Sequence, residues 1–147
     1  MTTLTGQELI YRQIVDLSQD GIMFADRDGN IRLWNSGAET IFGYTSEEAV
    51  GNSLDLIIPE KLCQRHWEGY HKVMDTGKTR YGTELLKVPA LKKDGERISV
   101  EFSIVLVRDN QNKVLGSAAI MRDVTECWKQ EKKLKERLKF LEDQLEQ

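Results

Sequence analysis

Three short clusters of turn-forming residues constrain this chain more than any other feature. Asp26-Arg27-Asp28-Gly29-Asn30, Lys92-Lys93-Asp94-Gly95 and Asp109-Asn110-Gln111-Asn112 each separate two β-prone runs. An Asp-Gly pair supplies the positive backbone angles that a tight antiparallel connection needs, so the clusters read as hairpin turns. The runs between them agree. Residues 83–91 precede the second cluster, 97–107 lie between the second and third, and 114–124 follow. Within 97–107, Ile98, Val100, Phe102 and Ile104 alternate with other residues, the period of a strand with one covered face. The last three runs predict an antiparallel meander.

The segments before and between these strands read as helix. Leu9, Ile10, Ile14 and Leu17 recur at helical spacing over 5–18, behind Thr5 as a cap. Asn35-Ser36-Gly37-Ala38-Glu39 opens a short helix that stops at Gly43, and Thr45-Ser46-Glu47-Glu48 opens another that stops at Gly51. Pro59 starts a longer one, in which Leu62, His66, Tyr70 and Val73 recur at helical spacing and Gly77 is the stop. Helix, hairpin, short helices and then a meander predict an α+β domain built on one sheet. The 147 residues suffice for one domain whose core needs no disulfide or metal staple.

From Thr125 the composition changes: Gly and Pro vanish and about half the residues are charged. Leu134, Leu138, Leu141 and Leu145 are spaced 4, 3, 4, which is a coiled-coil seam. Extended backwards, the frame runs through Glu131, Cys127 and Val124, so one core position carries a charge. The expected organisation is an amphipathic N-terminal helix over 1–18, a globular domain over 19–125 and a coiled-coil helix over 126–147. So short and polar a helix cannot bury its leucines alone. Parallel pairing with a second copy would bury each leucine for about 1.5–3 kcal/mol, and the N-terminal helix adds to the same contact. A homodimer is therefore expected, with Trp128 packed on the N-terminal helix or across the dimer axis. Trp34 is expected in the core, and Trp67 at a sheet edge or dimer contact.

Several functions are argued against. A net charge of −3 lacks the basic excess of a nucleic-acid binder. No apolar run approaches the ~18–20 residues that a membrane span needs, and the first residues lack the plan of a signal peptide. Cys63 and Cys127, 64 positions apart and outside any CxxC spacing, read as free thiols of a reducing compartment. The expected location is cytoplasmic, with neither nucleic acid nor membrane as partner. GxSxG, P-loop and HExxH motifs do not occur. His66 and His71, five positions apart, are turned about 140° from each other on a helix, which denies them a shared metal.

The turn and cap residues together form a recognisable pattern. Asp26-Arg27-Asp28-Gly29-Asn30-Ile31, Trp34-Asn35, Ala38, Phe42-Gly43-Tyr44, Glu47 and Gly51 resemble the front half of a PAS domain. Lys92-Lys93-Asp94-Gly95, Glu101-Phe102-Ser103-Ile104 and Arg122-Asp123-Val124-Thr125-Glu126 resemble its back half. The resemblance runs from about Leu9 to Glu126. It implies a five-stranded antiparallel sheet with flanking helices, a pocket between them, and a non-enzymatic sensory role in bacterial signal transduction. It also implies that Asp123, Val124 and Thr125 relay pocket state into the last helix, toward a downstream signalling domain or partner protein. The 22 residues after Thr125 carry no output segment, which fits either a stand-alone protein or part of a larger receptor.

The resemblance also bears on the ligand. Photochemical flavin members carry a reactive cysteine within Asn-Cys-Arg-Phe-Leu-Gln; here that region reads Gly43-Tyr44-Thr45-Ser46-Glu47, which argues against such chemistry. Cys63 reads as a buried spectator. His66, 29 residues before Gly95, is similar in place to the iron-ligating histidine of haem-binding PAS domains from bacterial oxygen sensors. That similarity implies haem b on His66, Lys72 and Arg80 near its propionates, and a pocket wall that includes Leu85, Leu86, Ile104 and Ala118. Glu84-Leu85-Leu86 departs from the subclass, which has an Arg or Met there. An apolar distal side would favour five-coordinate iron that binds CO or NO. The alternative is a ligand-free interaction and dimerisation domain whose pocket is filled by its own side chains.

Overall fold

The computed structural model describes residues 4–79 and 84–146. Its first hairpin forms where the Asp-Gly pair places it, joining β1 (Gly21–Asp26) to β2 (Ile31–Trp34). Gly29 adopts φ +82°, and the Asp26 carboxylate accepts from the N–H groups of Asp28 and Asn30, both at 3.0 Å. The meander follows as β3 (Leu86–Leu91), β4 (Arg97–Arg108) and β5 (Val114–Asp123). Of the run expected over 83–91, residue 83 lies outside the described residues, and Glu84 and Leu85 precede the strand. The five strands make one antiparallel sheet in the order β2-β1-β5-β4-β3.

Register assigns every side chain to a face, because residues directly opposite one another share a face. Met23 pairs with Ala119 and Ala119 with Ile104; Gly21 pairs with Met121, Met121 with Phe102, and Phe102 with Leu86. This is the inner face, toward the helices. Phe24, Ala118 and Val105 form a row on the outer face, as do Ile22, Ile120 and Ser103. Met23, Ala25, Ile31, Trp34, Ile98, Val100 and Met121 supply the sheet's share of the buried core; Ala38, Phe42, Ala49, Leu54 and Ile57 come from the helical side. Trp34 is buried as expected, its indole N–H donating to the Tyr44 carbonyl at 3.0 Å.

The helices begin at the caps read from sequence. α1 (Gly6–Leu17) starts behind a Thr5–Glu8 capping box. α2 (Ser36–Phe42) is capped by Asn35 and ends at Gly43 with φ +85°. α3 (Ser46–Ala49) has a Thr45–Glu48 capping box and ends two residues short of Gly51. A single 3₁₀ turn over Leu54–Ile57 is one that no sequence signal announces. α4 (Glu60–Thr76) ends at Gly77, and α5 (Thr125–Leu145) carries the leucines away from the sheet. Leu134, Leu138, Leu141 and Leu145 are all exposed. Among the described residues, no helix is long and apolar enough to cross a membrane.

Asn35 does more than cap α2. Its side-chain oxygen accepts from Ile22 N–H at 2.8 Å and Ala38 N–H at 2.9 Å. Its amide nitrogen donates to the carbonyls of Val15 at 2.7 Å and Asp20 at 3.0 Å, with Ser18 at 3.4 Å. One buried side chain thus ties the end of α1, the start of β1 and the first turn of α2 together. Asn35→Ala leaves these donors and acceptors unmet at a buried junction, and the expected loss is about 2–4 kcal/mol of stability. Urea denaturation checks it, and Asn35→Asp should not restore the loss, because a buried carboxylate cannot donate to the Val15 and Asp20 carbonyls.

Candidate functional site

His66, the residue on which the resemblance places a ligand, lies on α4. α4 is positioned at several points. The Tyr70 hydroxyl reaches the Asp26 carbonyl at 2.6 Å and the Ala25 carbonyl at 3.2 Å. Arg27 donates to the Met74 carbonyl at 3.2 Å and the Val114 carbonyl at 2.8 Å, and Arg108 donates to the Gly77 carbonyl at 2.6 Å. Cationic groups at a helix C-terminus also complement its dipole. Toward the other end, Trp67 Nε1 donates to Asp55 Oδ1 at 2.7 Å, and its ring lies against Gly29, where a β-carbon would collide with it. Trp67 therefore covers the first hairpin turn.

His66 sits one helical turn before Tyr70, at a ring-to-ring distance of 5.7 Å, and meets Trp67 edge-on at 4.7 Å. Its Nδ1 is buried and has no hydrogen-bond partner. Burial lowers the imidazole's pKa; the Asp55 carboxylate pulls it back up and His71 pushes it further down, with a net lowering. The side chain is therefore a neutral imidazole at pH 7, in the form that ligates metals. Burial, followed by the Asp26 charge, pushes the Tyr70 hydroxyl up to about 12, so it stays a donor throughout the physiological range. Burial also raises the Cys63 thiol, with Asp55 adding to the effect, and the Cys63 Sγ lies 3.7 Å from the carbonyls of Ile58 and Pro59. Cys63 is a poor nucleophile in that setting.

The other expected site residues are dispersed. Ile104 and Leu86 belong to the inner face by register. Ala118 does not: it pairs with Val105 on the outer face, and Ala119 is the residue beside Ile104. Leu85 precedes β3 and is 61% exposed. Lys72 is exposed on α4, six positions from His66 and so about 120° around the helix from it. Arg80 lies outside the described residues. Among those residues, no three His, Cys, Asp or Glu side chains gather as a metal cage. Tyr70, Arg27, Arg108 and Asp55 do not stand out as site residues in the sequence. Only Tyr70 carries a usable signal there, its spacing of four from His66.

At the exit, Asp123 Oδ1 accepts from the Thr125 N–H at 2.9 Å and the Thr125 hydroxyl at 2.5 Å. Thr125 Oγ1 accepts from Ser99 N–H at 3.0 Å, and Val124 N–H donates to the Ser99 carbonyl at 2.9 Å. The triplet fastens the start of α5 to β4 between the buried Ile98 and Val100, and Val124, at the N-cap position, makes no side-chain hydrogen bond. Trp128, Cys127 and Glu131 border a cleft of about 480 Å³ with Lys87, Pro89 and Arg97 of β3 and β4. Trp128 thus borders the sheet rather than α1, and the three backward seam positions, Val124, Cys127 and Glu131, line the same cleft. The lowered His66 pKa predicts a pH effect: stability is fully present above the unfolded value of about 6.5 and declines as pH falls from there through the folded value. Urea midpoints at pH 7.5 and 5.5 check this, and His66→Leu should shrink the difference between them.

A family model described as the PAS fold matches residues 15–127. The oxygen sensor protein DosP of Escherichia coli is 27% identical over 95 residues, covering 65% of this chain and 12% of DosP. The signal transduction histidine-protein kinase AtoS of the same organism is 27% identical over 114 residues, covering 76% of this chain and 17% of AtoS. This chain therefore spans under a fifth of either relative. The crystal structure of a PAS domain from Colwellia psychrerythraea superposes with a TM-score of 0.69 at 25% identity, covering 80% of this chain and 98% of that one. With fold, register and pattern in agreement over most of its length, the chain belongs to the PAS family.

Proposed function

We propose that this PAS domain is a non-enzymatic cytoplasmic sensor that takes a small ligand between α4 and the inner face of the sheet and reports it through α5. The observation that carries the reading is His66: a neutral imidazole with a buried, partnerless Nδ1 on the helix that Tyr70 anchors to the sheet. A buried polar atom is ordinarily hydrogen-bonded, so an unmatched ring nitrogen fits a side chain set up for a further partner. The apolar inner-face residues Phe102, Ile104 and Ala119 suit a flat hydrophobic group opposite it. Haem b fits this donor set, with His66 as its ligand, and similarity to an oxygen sensor supports that choice. Haem would supply an iron centre able to take a diatomic gas or change redox state. Lys72 and Arg80 remain candidates for its propionates.

Absorption spectra with and without haemin test this. A Soret band is expected on addition of haemin, with its position or intensity altered in His66→Ala. No band, or a band indifferent to that substitution, overturns the assignment. One observation favours the ligand-free reading: Tyr70 already crosses to the Ala25 and Asp26 carbonyls and fills one end of the site. A spectrum without a Soret band would support that alternative.

The output side of the proposal is a parallel homodimer through Leu134, Leu138, Leu141 and Leu145, whose helices change angle or register when Asp123, Val124 and Thr125 move. A downstream signalling domain or partner protein would read that change. The four leucines are between 44% and 87% exposed, which leaves the seam available to a second copy. Sedimentation at tens of micromolar should give a dimer for the full chain, and Leu138→Glu with Leu141→Glu should weaken it at least tenfold. A monomeric full chain overturns this part.

A further inference from the structure

The cleft at the root of α5 lies on the other side of the sheet from His66. Lys87, Pro89, Arg97, Ser99 and Glu101 belong to the outer face by register, since Phe102 and its neighbours two positions apart belong to the inner one. The first turns of α5 form the opposing wall, with Trp128 47% exposed. A volume of about 480 Å³ is that of a small-molecule pocket, which ordinarily measures ~300–1,000 Å³.

The floor of the cleft offers a ligand little to bond with. The Ser99 N–H and carbonyl are already taken by Thr125 and Val124, and Pro89 opposite Ser99 has no N–H to give. Charge is confined to side chains at the margin, and most of it is answered. Lys87 faces Glu101 across β3 and β4, and Glu101 faces Arg122 on its other side. Lys129 pairs with Glu126 at 3.9 Å, and Glu96 with Lys92 at 3.6 Å. Arg97 faces Leu91, and among the described residues it makes no hydrogen bond or ion pair, not even with Glu131, the other carboxylate of the lining. An unmatched guanidinium and a half-exposed indole therefore meet over an apolar, hydrogen-bond-poor floor. A guanidinium is shaped for a carboxylate, which it can hold through two parallel N–H donors. An indole beside a proline is a surface for a flat ring.

We propose that this cleft is a second ligand site, for a small aromatic carboxylate whose ring lies against Trp128 and Pro89 and whose carboxylate pairs with Arg97. It is separate from the site beneath α4. Its walls are α5 and the β3–β4 edge, so an occupant bridges them and holds the first turns of α5 to the sheet beside Asp123, Val124 and Thr125.

Calorimetric titration of the full chain with 2-naphthoate tests the inference. Saturable binding of one molecule per chain is expected. It should be at least tenfold weaker in Arg97→Gln, an exposed change whose fold circular dichroism checks, and at least tenfold weaker for the uncharged 2-naphthamide. The Trp128 indole N–H resonance, identified by its loss in Trp128→Phe, should shift during the titration while that of the buried Trp34 stays in place. Absence of binding, equal binding of acid and amide, or binding indifferent to Arg97→Gln overturns the inference. His66→Ala should bind 2-naphthoate as tightly as the parent chain; loss of binding there puts the acid beneath α4 and overturns a site at α5.

Discussion

The structure depends on the hydrogen bonds of one buried amide. Asn35 is the only buried residue of its kind among the described polar side chains, at 3% exposure, and it is bonded to five backbone groups drawn from α1, the α1–β1 turn, β1 and α2. Each of those groups would otherwise be an unmet donor or acceptor at a crowded junction. The close approach of Gly37 to the Asp20 carbonyl, which a β-carbon would block, lets the amide reach all of them. Position of α2 against β1 sets where the inner face is covered, and hence how much of it is left for α4 to roof.

Much of this is legible in the sequence, and what is not has physical reasons. The hairpins and caps are readable because turn residues act locally: Gly29, Gly43, Gly77 and Gly95 all adopt positive φ where a stop or turn is expected. The wall of the site is harder. β5 runs Gly116-Ser117-Ala118-Ala119, four small residues whose size gives no alternation to read, so its face is set only by pairing with β4. That is why the sequence points to Ala118 where Ala119 stands. Lys72 stands about 120° around α4 from His66, because a family position carries no information about how far a helix has turned. Tyr70 makes its decisive bonds to residues 44 and 45 positions away, beyond any local pattern.

The C-terminal helix α5 divides into two parts that its heptads do not separate. Glu131 breaks the leucine frame when the sequence is read alone, yet it lines the cleft that α5 forms with β3 and β4. Up to that point the helix belongs to the sheet. Beyond it, Leu134 to Leu145 belong to whatever stands alongside. The exposed Lys129–Glu126 pair, at 3.9 Å, contributes little to the helix, and Leu134, Leu138, Leu141 and Leu145 lie open beyond it.

Pro89 has a consequence for how copies of this chain can associate. It sits in the outermost strand opposite Ser99, whose own N–H and carbonyl are both spent on the α5 junction, to Thr125 and Val124. Pro89 therefore turns its backbone away from β4, and its ring nitrogen, which has no hydrogen, faces the open rim. An extended chain arriving there would find a missing donor at the middle of the strand. The rim is closed to growth by added strands, and the sheet cannot lengthen into a ribbon across molecules.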